Sequence, residues 1–325
     1  MKYNEPFKLT PAYKDYLWGG TRLKKEFNKK SDLDIVAESW ECSVHKDGEC
    51  IVSTGINKGK TLSEVLKSNK DYLGTHPKKI GKFPILVKFI DAKKDLSVQV
   101  HPTDEYAYEH ENKEFGKTEM WYVIDAEKDA KLIYGFNRDV TKEQVRKAIE
   151  DGNLTKYLQR VDIKKNDVFY IPSGTVHAIC SGALVAEVQE SSNLTYRLYD
   201  YDRVDKNGNK RELHIDKALD VLNFKSSTEP IQPLRVLKFK EGSAKELLCR
   251  CKYFQVFRFL INSKKGIEYK TDDLSFHILL CYEGKGLIKY NDVFIKVDKG
   301  DTIFVPANSC DITISGKINL LDINS

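Results

Sequence analysis

Polar and apolar side chains alternate through Asp95-Leu96-Ser97-Val98-Gln99-Val100-His101-Pro102, and the proline ends the pattern. Because successive side chains of a β-strand point to opposite faces, Ser97, Gln99 and His101 share one face, while the leucine and the two valines share the other. A strand of this kind lines a site inside a barrel or sandwich while its apolar face packs in the core. The alternation therefore predicts a β fold with an interior polar site.

Two later segments supply further metal-binding groups. Residues 117–123 place a glutamate on an aromatic strand, and residues 172–177 place a histidine just after a glycine turn. The combination predicts a divalent-metal site built from four side chains: Gln99, His101, Glu119 and His177. Imidazole and carboxylate ligands suit zinc, and two histidines with one carboxylate also match the facial triad of non-haem iron. The residues alone leave both metals open.

The same motifs, in the same order, resemble the class I mannose-6-phosphate isomerases (phosphomannose isomerases), which are zinc-dependent cupins. The agreement rests on residues 95–102, 117–122 and 172–178 and extends to residues 16–20, 37–41, 83–88 and 195–201. It covers the chain from about residue 6 to about residue 220. The resemblance implies a compact bacterial-type enzyme that binds one zinc ion per chain and interconverts mannose 6-phosphate and fructose 6-phosphate.

The chain of 325 residues is too long for one ordinary domain and fits either two units, each with its own core, or one large unit. Residues 300–306 repeat the rhythm of residues 166–172, which indicates an internal cupin duplication. The second copy has Asp311 where the first has His177, so we expect it to be structural. The predicted fold is mainly β, with two cupin-like barrel or jelly-roll domains. Residues 1–230 form the catalytic domain, with a helical insertion around 141–160, and residues 231–325 form a degenerate domain.

Local patterns predict the main helices and turns. A threonine cap and apolar spacing predict a helix at 141–150, and similar spacing predicts another at 213–224. We expect a hairpin around residues 122–136 and a second one at residues 283–286, where two glycines follow an apolar run.

Charge and cysteine content restrict the partners and the compartment. The chain has 53 basic and 48 acidic residues, and a net charge of +5 is too small and too dispersed to predict nucleic-acid binding. It is compatible with an anionic small substrate. Seven cysteines without a Cys-x-x-Cys pair, no secretory signal and no apolar run of membrane-spanning length predict a reducing, cytoplasmic location away from membranes. The oligomeric state stays open.

Moving a proton between C1 and C2 of a sugar requires a Lewis acid, a base and a cation near the oxyanion or the phosphate. The resemblance places the family's catalytic arginine at Arg197, which alternation also puts on the polar side of its strand. An alternative is that this arginine pairs with Asp200 or Asp202. The resemblance also supports Glu187 as an active-site glutamate. It is the candidate base, although a zinc-bound water is an alternative proton carrier.

Side chains must recognise the phosphate, because the sequence has no glycine-rich phosphate loop. Lys117, Ser97 and Lys88 are the substrate-binding candidates, and Lys117 matches a basic position of the family motif. Two other functions remain in consideration. One is an iron-dependent cupin oxygenase, which a fourth ligand disfavours because oxygen chemistry needs open positions. The other is a non-catalytic sugar-phosphate-binding cupin, which the complete catalytic set disfavours.

Overall fold

The chain is mainly β, as its sequence predicts. The computed structural model describes residues 4–80, 82–205, 207–227 and 235–325. The described strands are β1 (Phe7–Thr10), β2 (Ala12–Lys14), β3 (Glu38–Cys42), β4 (Val44–His45), β5 (Gly48–Glu49), β6 (Ile51–Val52), β7 (Ile85–Ala92), β8 (Val98–Val100), β9 (Glu119–Ala126), β10 (Lys131–Phe136), β11 (Leu158–Asp162), β12 (Val168–Ile171), β13 (His177–Ile179), β14 (Ala183–Glu190), β15 (Tyr196–Tyr199), β16 (Val236–Lys240), β17 (Ser243–Arg250), β18 (Gln255–Tyr269), β19 (His277–Tyr290), β20 (Val293–Asp298), β21 (Thr302–Val305) and β22 (Ile312–Asn324).

Short helices connect the strands. They are α1 (Arg22–Glu26), α2 (Leu62–Ser68), α3 (Thr75–Ile80), α4 (Asp104–His110), α5 (Lys142–Glu150) and α6 (Ile215–Val221), with two 3₁₀ turns at Lys70–Leu73 and Leu154–Tyr157. The two helices expected from apolar spacing are α5 and α6, and α5 begins with a capping box between Thr141 and Gln144. No helix in the described part of the chain is long and apolar enough to cross a membrane.

Two antiparallel sheets frame the predicted site. One has six strands in the order β12-β9-β14-β7-β3-β2, and the other has five in the order β11-β10-β13-β8-β15. Side chains from both sheets meet in one apolar cluster, for example Ile90 and Val123 from the first with Leu132 and Ile179 from the second. The pair of sheets forms a cupin-like sandwich, with α5 and α6 packed on the outer face of the five-stranded sheet.

The remaining strands form a nine-stranded sheet that covers the other face of the six-stranded sheet. Its order is β16-β17-β18-β22-β19-β21-β1-β6, and β20 pairs with β19. The six-stranded sheet is therefore buried on both faces, which explains why β7 is apolar along almost its whole length. Strands β1 and β6 belong to this last sheet although they come from the start of the chain. The predicted division into two domains remains a prediction, and its boundary lies outside the described residues.

Two predicted hairpins are wrong. Strands β9 and β10 lie in different sheets, so the chain around residues 122–136 crosses the sandwich instead of folding back on itself. At residues 283–286 the chain continues as β19, and the turn comes later, at residues 291–292. The two glycines serve a different purpose: a Cβ atom on Gly284 would lie 2.3 Å from the carbonyl oxygen of Lys317. They permit β19 and β22 to approach closely.

Candidate active site

Strand register brings the predicted residues together in two rows. In the five-stranded sheet, Gln99 of β8 lies opposite Arg197 of β15 on one side and His177 of β13 on the other. In the six-stranded sheet, Glu187 of β14 lies between Lys88 of β7 and Trp121 of β9. The two sheets face each other, so residues separated by more than a hundred positions line one interior site.

Three metal-binding side chains converge at this site. His101 Nε2 lies 3.1 Å from His177 Nε2 and 3.2 Å from Glu119 Oε1, and His177 Nε2 lies 3.8 Å from Glu119 Oε2. All three residues are buried, and their ligand atoms fit within 4.8 Å of one another. A tetrahedral ion with bonds of about 2.1 Å places its ligand atoms roughly 3.4 Å apart. The spacing therefore suits one metal ion.

The hydrogen bonding around these residues also fits a metal. Nδ1 of His177 lies 2.8 Å from the carbonyl oxygen of Thr175, and donation by Nδ1 leaves the Nε2 lone pair directed at the cluster. Oε2 of Glu119 accepts no hydrogen bond from the described residues, whereas Oε1 faces the Lys117 ammonium. Buried acceptors without donors are costly unless a cation satisfies them. Gln99 lies at the edge, with Nε2 3.5 Å from His177 Nε2, and its role as a fourth ligand stays a prediction.

The cluster is held in the protonation state that metals require. Burial and the adjacent Lys117 ammonium lower the pKa of His101 to about 3, and burial also lowers the pKa of His177. Burial acts in the opposite direction on Glu119, but Lys117 and His101 outweigh it and hold the pKa of this carboxyl well below its usual range. Nζ of Lys117 lies 3.0 Å from Glu119 Oε1 and 3.2 Å from His101 Nε2. Two neutral imidazoles and one carboxylate result.

A buried ion pair faces the metal cluster. Nζ of Lys88 lies 2.9 Å from Oε1 of Glu187 and 3.8 Å from Oε2 of Glu38. The indole of Trp121 donates to the other Glu187 oxygen at 3.0 Å. Burial and the negative charge of Glu119 raise the pKa of Glu187, and Lys88 opposes them. Lys88 is thus directed into the site and does not extend from a strand end to solvent.

Arg197 makes its contacts inside the site. Its Nε donates to Ser97 Oγ at 3.3 Å and its Nη1 donates to the carbonyl oxygen of Glu212 at 2.8 Å. Asp200 is bound instead by Arg203 and Arg211. The other alternative partner, Asp202, pairs with Lys210. The structure therefore favours a site-facing Arg197 over the alternative of a carboxylate-paired arginine at the rim.

A cavity of about 300 Å³ opens onto these groups. It is lined by Tyr16, Trp18, Glu38, Lys88, Ile90, Leu96, Ser97, Gln99, Lys117, Trp121, Ile179, Glu187, Asn193, Thr195, Arg197 and Arg211. Six of these were predicted as site residues, and Lys117 connects the cavity to the metal cluster. Glu38, Trp121 and Arg211 were missed. The first two carried a signal, because Glu38 is a charged residue at the start of a buried strand and Trp121 shares a strand face with Glu119.

Comparison with known proteins agrees with this geometry. Residues 6–128 match the family described as phosphomannose isomerase type I, catalytic domain. Residues 244–324 match the family described as mannose-6-phosphate isomerase, cupin domain. The second match covers the C-terminal strands in which the sequence indicates a degenerate cupin copy.

Bacterial mannose-6-phosphate isomerases are similar to this protein over nearly the whole chain. The putative mannose-6-phosphate isomerase YvyI of Bacillus subtilis strain 168 is 39% identical over 323 residues, which cover 97% of this chain and 98% of the relative. Mannose-6-phosphate isomerase ManA of the same strain is 38% identical over 314 residues, or 96% of each chain. A crystal structure of mannose 6-phosphate isomerase from Bacillus subtilis superposes with a TM-score of 0.91 at 38% identity, covering 98% of this chain and 99% of the other. The chain belongs to the type I mannose-6-phosphate isomerase family and is an isomerase of that family.

Proposed function

We propose that this protein is a zinc-dependent aldose–ketose isomerase that interconverts D-mannose 6-phosphate and D-fructose 6-phosphate. One observation carries the proposal: the Lys88–Glu187 ion pair and Lys117 line the same cavity. Lys117 in turn contacts His101 and Glu119 of the metal cluster. Proton transfer next to a sugar carbonyl requires a metal ion that polarises the carbonyl and a carboxylate that moves the proton. Here a metal-binding cluster and a buried carboxylate adjoin one cavity.

His101, Glu119 and His177 would hold the zinc, with Gln99 as the proposed fourth ligand. Bound zinc supplies a Lewis acid that stabilises the negative charge developing on the sugar oxygens. The same triad also suits iron, so the metal needs its own measurement. Family membership disfavours the oxygenase alternative, because the relatives over nearly the whole chain carry isomerase names.

Glu187 is the proposed base that moves the proton. In the forward direction it takes the proton from C2 of the open-chain aldose and returns it to C1, while the hydroxyl proton passes from O2 to O1. The carbonyl thereby moves from C1 to C2 through an enediol-type intermediate. Trp121 fixes the direction of the carboxylate, and Lys88 opposes the rise in its pKa. A raised pKa makes this carboxylate a stronger base, which favours removal of the C2 proton.

Arg197 is the proposed catalytic cation, and its guanidinium would stabilise negative charge on the substrate. Ser97 accepts a hydrogen bond from Arg197 Nε and so orients it. Lys117, Ser97 and Lys88 are the proposed contacts to the sugar. The small-molecule substrate would enter through the cavity, and its phosphate is anionic, as the basic lining favours.

A coupled assay that measures fructose 6-phosphate formed from mannose 6-phosphate tests this function. The wild-type protein should turn over the substrate, and Glu187→Gln should lower kcat by roughly 10²- to 10⁴-fold, because the amide cannot accept the proton. Glu109→Gln, a change at an exposed helix position, should leave the rate unchanged. No turnover by the wild type would refute the function, and full activity of Glu187→Gln would refute the role of Glu187.

A further inference from the structure

We propose that Arg211 recognises the substrate phosphate and makes the enzyme specific for phosphorylated sugars. This inference rests on the proposed function, since it names the residue that binds the phosphate of that substrate. Arg211 lines the cavity together with Arg197. It lies in the segment between β15 and α6, where no local sequence pattern pointed to a functional role.

The two lysines of the cavity are already neutralised. Lys88 lies between two carboxylates, Glu187 and Glu38, and Lys117 lies against Glu119. Both lysine side chains are only 4% exposed. They also adjoin the groups that act on C1 and C2, whereas the phosphate is attached to C6 at the other end of the sugar. A dianion needs uncompensated donors at a separate position in the cavity.

Arg211 offers such a donor on a fixed support. Its Nε and Nη2 donate to the two oxygens of Asp200 at 2.7 and 2.6 Å, which leaves Nη1 without a hydrogen bond to the described residues. The side chain is 31% exposed, so an anion in the cavity has access to it. Asp200 also binds Arg203, which in turn donates to the carbonyl oxygen of Asp95. One carboxylate between two guanidinium groups leaves a net positive charge, and the bidentate contact holds the Arg211 fork in place.

A second guanidinium, that of Arg197, lines the same cavity. Burial and the positive charge of Arg211 both lower the pKa of Arg197. Nη2 of Arg197, like Nη1 of Arg211, makes no hydrogen bond to the described residues. Two like charges in one cavity are unfavourable until an anion binds between them. A phosphate group supplies the negative charge and enough hydrogen-bond acceptors for both guanidinium groups.

Arg211→Gln and Arg203→Gln form a matched pair of variants. Each removes one of the two arginines from Asp200, but only Arg211 lines the cavity. Arg211→Gln should raise KM for mannose 6-phosphate by roughly 10- to 100-fold, the value of one charge-assisted hydrogen bond, with kcat changed by less than about threefold. It should weaken the binding of inorganic phosphate, measured by calorimetry, by a similar factor. Arg203→Gln should change both quantities by less than about threefold.

Two results would overturn the inference. One is an Arg211→Gln protein with unchanged KM and unchanged phosphate affinity. The other is an equal loss in Arg203→Gln, since both arginines would then act only by holding Asp200. The calorimetric titration does not depend on turnover. A wild-type protein that binds phosphate through Arg211 but converts no mannose 6-phosphate would refute the proposed function and leave the anion site standing.

Discussion

Glu190 is a buried carboxyl group next to Thr118, the residue that precedes strand β9. It accepts a hydrogen bond from the backbone N–H of Thr118 at 2.7 Å and is only 1% exposed. Burial raises the pKa of Glu190 to about 8; the Thr118 bond opposes this shift, and the nearby Asp104 carboxylate adds to it. The folded protein therefore keeps this group neutral over a range in which an unfolded chain ionises it.

The raised pKa of Glu190 makes the stability of the fold depend on pH. Between the ordinary glutamate pKa of about 4.5 and the folded value of about 8, the folded state binds one more proton than the unfolded state. We expect the free energy of unfolding to fall as pH rises through this window, and Glu190→Gln to flatten the fall. Urea unfolding at pH 5, 6, 7 and 8 measures this free energy, and the variant Glu127→Gln, at an exposed position, serves as the control. If the free energy of unfolding fell equally with pH in the wild type and in Glu190→Gln, the raised pKa of Glu190 would be contradicted.

At the scale of single residues, the sequence shows which side chains share one face of a strand. Gln99 and His101 share a face because the period of a strand is two, and this can be read without knowing which strands pair. Arg211 could not be found in this way. Its position in the cavity depends on its ion pair with Asp200, and that contact leaves no local pattern in the sequence.

Among the structural elements, β19 and β22 depend on an unusually close approach. Gly284 has φ +83°, and a Cβ atom there would lie 2.3 Å from the carbonyl oxygen of Lys317. Gly208 has nearly the same backbone conformation, φ +81°, but nothing lies within 4 Å of its Cβ position. Substituting alanine at these two glycines therefore distinguishes the free-energy cost of the left-handed backbone conformation from the cost of the steric contact.

We expect Gly208→Ala to lower the free energy of unfolding by about 1 kcal/mol, the cost of a left-handed conformation for alanine. Gly284→Ala should cost about 2 kcal/mol more, because backbone atoms of the neighbouring strand must move. Chemical denaturation of both variants tests the difference. An equal loss in the two proteins would show that the strands adjust without strain.

Element boundaries were more predictable than element pairing. The capped helix at α5 and the buried strand β7 follow from local signals, namely a capping box and a continuous apolar run. The hairpin expected around residues 122–136 failed because two apolar strands close in sequence can pair with each other or with distant partners. The sequence alone does not distinguish a hairpin from a crossing between two sheets.

At the scale of the whole molecule, the start of the chain is built into the C-terminal sheet. Strand β1 pairs with β21, and the buried carboxylate of Glu41 binds both Lys29 and the hydroxyl of Thr302. Removing one partner from a buried ion pair typically costs about 3–5 kcal/mol. Because Glu41 belongs to β3 and Thr302 to β21, these contacts connect the six-stranded sheet to the nine-stranded sheet.

We therefore expect a single cooperative unfolding transition. The three tryptophans, Trp18, Trp40 and Trp121, all precede β10, so their fluorescence reports on the N-terminal part of the chain. Far-UV circular dichroism reports on every strand. The two signals should change at the same urea concentration, since contacts between the sheets couple their unfolding. Two separate midpoints would indicate domains that unfold independently.

The most direct test of the account is activity before and after metal removal. The purified protein should contain about one zinc ion per chain, and a chelator should abolish the formation of fructose 6-phosphate from mannose 6-phosphate. One equivalent of zinc should restore the activity, and it should fail to do so in His177→Ala. Full turnover by metal-free protein would contradict the proposed role of the His101–Glu119–His177 cluster, and recovery with iron but not zinc would contradict the proposed metal.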